Sequence, residues 1–110
     1  MTNKEILEIY FKRIAKCLLY AGNQLKDYPS EEYNYRWILD HAKIFENCLD
    51  YLKKEQDLPQ ESKDDLIKVI LPDLIRRPTF KCGCYAVNFG LLTIWAKELK
   101  EYLLIGKITK

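Results

Sequence analysis

Residues 2–25 read TNKEILEIYFKRIAKCLLYAGNQL, and this stretch decides the fold. Ile6, Leu7, Tyr10, Phe11, Ile14, Cys17, Leu18, Ala21 and Leu25 recur at spacings of three and four. On a helix those positions share one face, so the stretch reads as an amphipathic helix. Thr2 and Glu5 mark its start as a T-x-x-E capping box, in which each side chain satisfies the other's free backbone amide. Asp27, Tyr28 and Pro29 end the pattern. The spacing predicts a helix from Asn3 to Leu25.

The same argument carries outward. A second helix is expected from Glu31 to about Gln56, with Ser30 as N-cap and a core stripe of Trp37, His41, Ile44, Phe45, Cys48 and Leu52. Glu31 and Glu32 suit its positive N-terminus, and Lys53 and Lys54 its negative C-terminus. A third helix is expected after Ser62, with Asp65 as a weaker capping partner and Leu66, Val69, Ile70, Leu74 and Ile75 facing inward. Pro72 should interrupt it, because proline lacks an amide donor and clashes with the preceding turn. A fourth helix is expected from about Phe80 to Leu104, capped by Thr79, with Tyr85, Phe89, Leu92, Trp95, Leu99 and Leu103 on one face. Short links between long helices favour antiparallel neighbours. The expected fold is all-α: one domain over residues 1–110, an up-down-up-down antiparallel bundle of about four helices, the third interrupted at Pro72.

Composition agrees. The chain has 110 residues, 48% of them apolar and 31% charged, with only four Gly and four Pro. Such a chain can bury a core without a metal or disulfides, and few turn residues favour few, long elements. The net charge of +2 is no footprint of an obligate nucleic-acid binder. Charge is uneven, however: residues 76–110 carry seven Lys/Arg and two acids, and residues 57–75 five acids and two lysines. The first residues alternate charged and apolar side chains, unlike a secretory signal. The longest uncharged run, Cys82 to Ala96, is 15 residues, short of the roughly 20 that span a bilayer. The chain is therefore expected in the cytoplasm, with its four cysteines reduced and no membrane partner.

No catalytic residue, cofactor or metal site is expected. Cys82-Gly83-Cys84 lacks the spacing of familiar zinc sites. In an up-down bundle it also opens the fourth helix at the end where the second begins, roughly 27 Å from Cys48. Cys17 and Cys48 lie on apolar stripes and read as small core residues. His41 is the single histidine, in mid-stripe, with no nucleophile motif beside it. Arg36 and His41 together read R-x4-H. That spacing resembles the active-site signature of the HEPN ribonucleases, which are also small helical bundles. The resemblance covers two residues and implies an RNA-cleaving pair at Arg36 and His41. The residue after the arginine, usually polar in that family, is Trp37 here, and five residues along a straight helix turn two side chains about 140° apart.

Two surface regions read as binding sites. Tyr28, Tyr33, Tyr35 and Arg36 surround the first turn of the second helix. In the up-down order Arg76, Arg77 and Lys81 come to the same end, and tyrosines beside arginines are enriched in binding hot spots. The fourth helix carries Gly83, Val87, Gly90 and Ile94 on its back, so it is apolar nearly all round between Cys82 and Ala96, as a central or interfacial helix is. That back is expected either to be covered within the monomer or to form a homodimer face. The function expected is a non-enzymatic protein-binding module, of the inhibitor, immunity or adaptor kind, which occludes an acidic or polar partner surface. The alternatives are nucleic-acid binding by the basic stretch from Arg76 and a HEPN-like ribonuclease.

Overall fold

The computed structural model describes residues 2–27, 29, 32–54, 57–76 and 86–105, with only the backbone for 86–89. Its elements are α1 (Asn3–Leu25), α2 (Glu32–Lys53), α3 (Gln60–Asp65), a π-helical turn (Leu66–Ile70), α4 (Leu71–Arg76) and α5 (Ala86–Ile105). The protein is all-α: among the described residues there is no strand. The chain divides into two compact units, Met1–Gln56 and Asp57–Lys110.

In the first unit α1 has the bounds the periodicity predicts. The capping box is formed: the Glu5 amide donates to Thr2 Oγ1 at 3.2 Å, and the Thr2 amide to Glu5 Oε1 at 3.5 Å. The Lys26 amide closes the other end on the Gly22 carbonyl at 3.1 Å. The two helices run in opposite directions. Phe11 meets Phe45 with ring centroids 6.0 Å apart and planes tilted by 48°, while Gly22, further along α1, meets Ile38, earlier on α2. Phe11, Ile14, Leu18, Leu25, Ile38, Ala42 and Phe45 are essentially inaccessible.

The inward stripe of α2 differs from the expected one. His41, Phe45, Cys48 and Leu52 are buried as expected, and so are Ile38 and Ala42, which the stripe omits. Trp37 and Ile44 are only half-buried. Apolar residues occupy one flank of α2 as well as its inward face, so spacing alone reads the stripe about one position off. The helix ends at Lys53, short of Gln56. The Ser30 and Glu31 capping positions lie outside the described residues.

In the second unit the helix begins at Gln60, not after Ser62, directly behind Pro59. Pro59 is the N-cap, with φ −57° and ψ 145°, and the Lys63 amide returns to its carbonyl at 3.1 Å. Ser62 is therefore inside the helix rather than its cap. The chain stays helical through Pro72, and the ladder changes earlier, over Leu66–Ile70. There the Leu71 amide reaches five residues back to the Leu66 carbonyl. Pro72 supplies a physical reason, since its ring crowds the carbonyl of Lys68 and a widened turn relieves that crowding. Renewed α geometry at Leu71 leaves Pro72 in a first turn, where its missing amide costs little.

α5 packs on α4 and on the π turn. Leu66, Leu71, Leu74, Leu92, Ala96 and Leu99 form the buried set, with Leu58 and Tyr102 nearly covered. The expected cap Thr79 and the expected first residues, Phe80 to Tyr85, lie outside the described residues. No helix among the described residues is long and apolar enough to cross a membrane.

Gly22 tests the pairing of α1 with α2. A Cβ built there stands 3.3 Å from Ile38 Cγ2 and 3.5 Å from Leu39 Cδ2. Gly22→Val should therefore overpack the contact and destabilise the protein by about 1–3 kcal/mol in urea titration. An unchanged midpoint would show that the helices do not approach there.

Candidate functional site

Close to the turn between α1 and α2 lie Lys26, Glu32, Tyr33, Tyr35 and Arg36. Leu25, Lys26, Pro29, Glu32 and Tyr35 line a recess of about 300 Å3 beside it. Proline restricts the residue before it, and Pro29 ends one helical pattern before the other begins. Tyr35 is half-buried and lines the recess, whereas Tyr33 is 70% exposed. The Arg36 guanidinium lies 2.8 Å from Glu32 Oε1, with 75% and 64% of the two side chains in water. An exposed pair of this kind contributes only about 0.3–0.5 kcal/mol, so either charge can turn to a partner at little cost. Lys26 adds a second exposed cation.

Of the residues singled out for partner binding, Tyr33, Tyr35 and Arg36 thus sit together on the first turns of α2. Arg76 belongs to the second unit. It is 71% exposed at the end of α4, where its guanidinium lies 2.6 Å from Asp73 Oδ1. Tyr28, Arg77 and Lys81 lie outside the described residues. Sequence reasoning missed Tyr51, which is 39% exposed and lines a second recess of about 470 Å3 with Asn47, Asp50 and Lys54. Tyr33, Trp37, Ile44 and Tyr51 follow one another at spacings of four, seven and seven. They form one flank of α2, and that spacing was the available signal.

Arg36 and His41 do not form a joint site. His41 is 9% exposed, and its Nδ1 lies 2.8 Å from the Trp37 carbonyl oxygen. A carbonyl only accepts, so Nδ1 carries the proton and is the donor. The ring stacks on Trp37 with centroids 4.0 Å apart, and Nε2 is buried. An imidazole held in this way cannot reach a substrate in solvent as a general base, while Arg36 points into water beside Glu32.

The cysteines behave as core residues. Cys48 is buried and Cys17 half-buried. Burial pushes each thiol from 9.0 up to about 11, which keeps it protonated at neutral pH and a poor nucleophile. Among the described residues no three His, Cys, Asp or Glu side chains cluster as metal ligands would. Cys82 and Cys84 lie outside the described residues.

The back of α5 is open to solvent in its described part. Gly90 and Ile94 are exposed, as are Leu91, Leu104 and Ile105, and a Cβ at Gly90 would meet nothing within 4 Å. Gly83, and the side chain of Val87, lie outside the described residues. The chain matches no family model, no curated protein and no solved structure.

The thiols give a pH test. In the unfolded chain a cysteine loses its proton near 9.0, and in the folded chain near 11, so the folded state binds the proton more tightly. That contribution is intact below pH 9.0 and is lost as pH rises toward 11. In Cys48→Ala the fall in stability across this window should be shallower than in the parent, read by urea titration at both ends. An identical fall in both proteins would show that Cys48 is not desolvated.

Proposed function

We propose that this chain is a non-enzymatic protein-binding module that occludes a polar or acidic surface of its partner, as inhibitors, immunity proteins and adaptors do. The observation that carries the reading is Tyr33, 70% exposed, three residues before Arg36 on the first turns of α2. A tyrosine offers large, rigid area with a polar tip, and an arginine offers a planar fork of donors. The two are enriched where truncation costs binding most. The recess lined by Lys26, Pro29, Glu32 and Tyr35 lies alongside, ready to take a protruding side chain. The weak Glu32–Arg36 pair leaves Arg36 available for a partner carboxylate.

A non-catalytic role agrees with the state of the usual catalytic residue types. His41 is stacked and hydrogen-bonded within its own helix, and Cys17 and Cys48 are held protonated. The reading takes the chain to act in the cytoplasm, where such thiols remain reduced.

The test is capture from host lysate with the wild-type chain and with Tyr33→Ala/Arg36→Glu as baits, at low and high salt and with nuclease. One protein partner should survive salt and nuclease and bind the double variant roughly 30-fold more weakly or worse, at unchanged helicity. A partner set that disappears with nuclease would transfer the reading to nucleic acid and to the basic stretch from Arg76, since phosphate contacts are strongly salt-dependent.

A further inference from the structure

α5 has two faces that are both built to be covered. Leu92, Ala96, Leu99 and Tyr102 are buried. On the other side lie Gly90, Ile94, Lys97, Glu101 and Leu104, separated by four, three, four and three residues, and all of them are exposed. That alternation places the five residues on one stripe of the helix, with the spacing by which one helix seats on another and with the two middle positions charged. Ile94 and Leu104 are 52% and 58% exposed, and Leu91 and Ile105 flank the seam at 45% and 53%. A solvated helix face would carry polar residues at these four places. Two charges of opposite sign, Lys97 and Glu101, occupy the middle.

The order of these residues specifies a partner. When two helices pair antiparallel, the two kinds of seam position face each other across the interface. Centred between Lys97 and Glu101, a second α5 places its Leu104 against Ile94 and its Glu101 against Lys97. The two-fold axis then repeats both layers. Two ion-paired layers lie at the centre and an apolar layer at each end, with the stem of Lys97 covering apolar surface. Leu91 falls beside Ile105 of the second copy on the flank. Glu98 falls near its own mate there, with Lys97 of both copies alongside. A parallel pairing would instead set Lys97 on Lys97 and Glu101 on Glu101. The face is thus complementary to itself in one direction only, which is the requirement of an isologous dimer.

We propose that the chain forms a two-fold homodimer through the outer seam of α5, with Ile94, Lys97, Glu101 and Leu104 of each copy as its four layers. The surface is separate from the α2 site, and its test uses the purified chain alone, so the failure of one reading leaves the other standing.

The experiment is sedimentation equilibrium over a concentration series, with helicity followed in parallel. The wild-type chain should show a reversible monomer–dimer equilibrium. Lys97→Glu places glutamate against glutamate in both central layers, and Glu101→Lys places lysine against lysine. Each should weaken the dimer about tenfold or more without loss of helicity. An equimolar mixture of the two variants should dimerise again, and so should the chain carrying both changes, since each restores two opposite-charge layers. A wild-type chain that stays monomeric throughout would overturn the proposal. So would a dimer indifferent to the single reversals, or a loss that neither mixing nor the double change recovers.

Discussion

The contact on which the first unit depends is the close seating of α1 on α2. Phe11 and Phe45 supply the large buried rings of that contact, and Gly22 lets the backbone of α1 come within reach of Ile38. Burying a phenylalanine contributes roughly 1.5–3 kcal/mol, more than any cap or surface ion pair in this chain. Placement of the candidate site follows from that seating. Once α2 turns Ile38, Ala42 and Phe45 inward, Tyr33 and Arg36 can only lie outward, and Tyr35 rests at the edge beside Pro29. The tyrosine and arginine are thus presented to solvent from the first turns of α2.

The same seating explains why the residue types usually sought in an active site are quiet here. His41 donates from Nδ1 to the carbonyl one turn back and lies flat against Trp37, so it completes the wall of the helix. Cys17 and Cys48 fill small spaces on the inward stripes, where desolvation holds them as thiols. The likeness of Arg36 and His41 to a ribonuclease signature is a matter of spacing along the chain. Five residues on a helix point the first into water and the second into the core, and catalysis needs the two to converge.

The second unit meets a different constraint. Pro72 stands in the middle of a segment whose leucines must reach the core on both sides of it. Leu66, Leu71 and Leu74 are all buried. The π turn reconciles the two demands by adding a residue to the turn ahead of the proline while the helix continues. α5 then covers those leucines with Leu92, Ala96 and Leu99, and its other side is exposed.

Local pattern alone determined a good deal. The span of α1, its capping box, the all-α class and the inward place of His41, Phe45, Cys48 and Leu52 follow from spacing and from the chemistry of helix ends, which neighbouring residues settle among themselves. Tertiary structure decided the rest, wherever the pattern was compatible with two answers. On α2 the apolar residues exceed one face, and only the position of Phe11 distinguishes Ile38 and Ala42 inside from Trp37 and Ile44 at the edge. In the third segment the proline announced a disturbance, but its form depended on which leucines had to stay buried. As far as Ala96, α5 is apolar on nearly every side, so that part of its sequence has no polar face to point outward. Which side is buried depends on α4 and the π turn packing against it, and that packing leaves Ile94 and Leu104 in water.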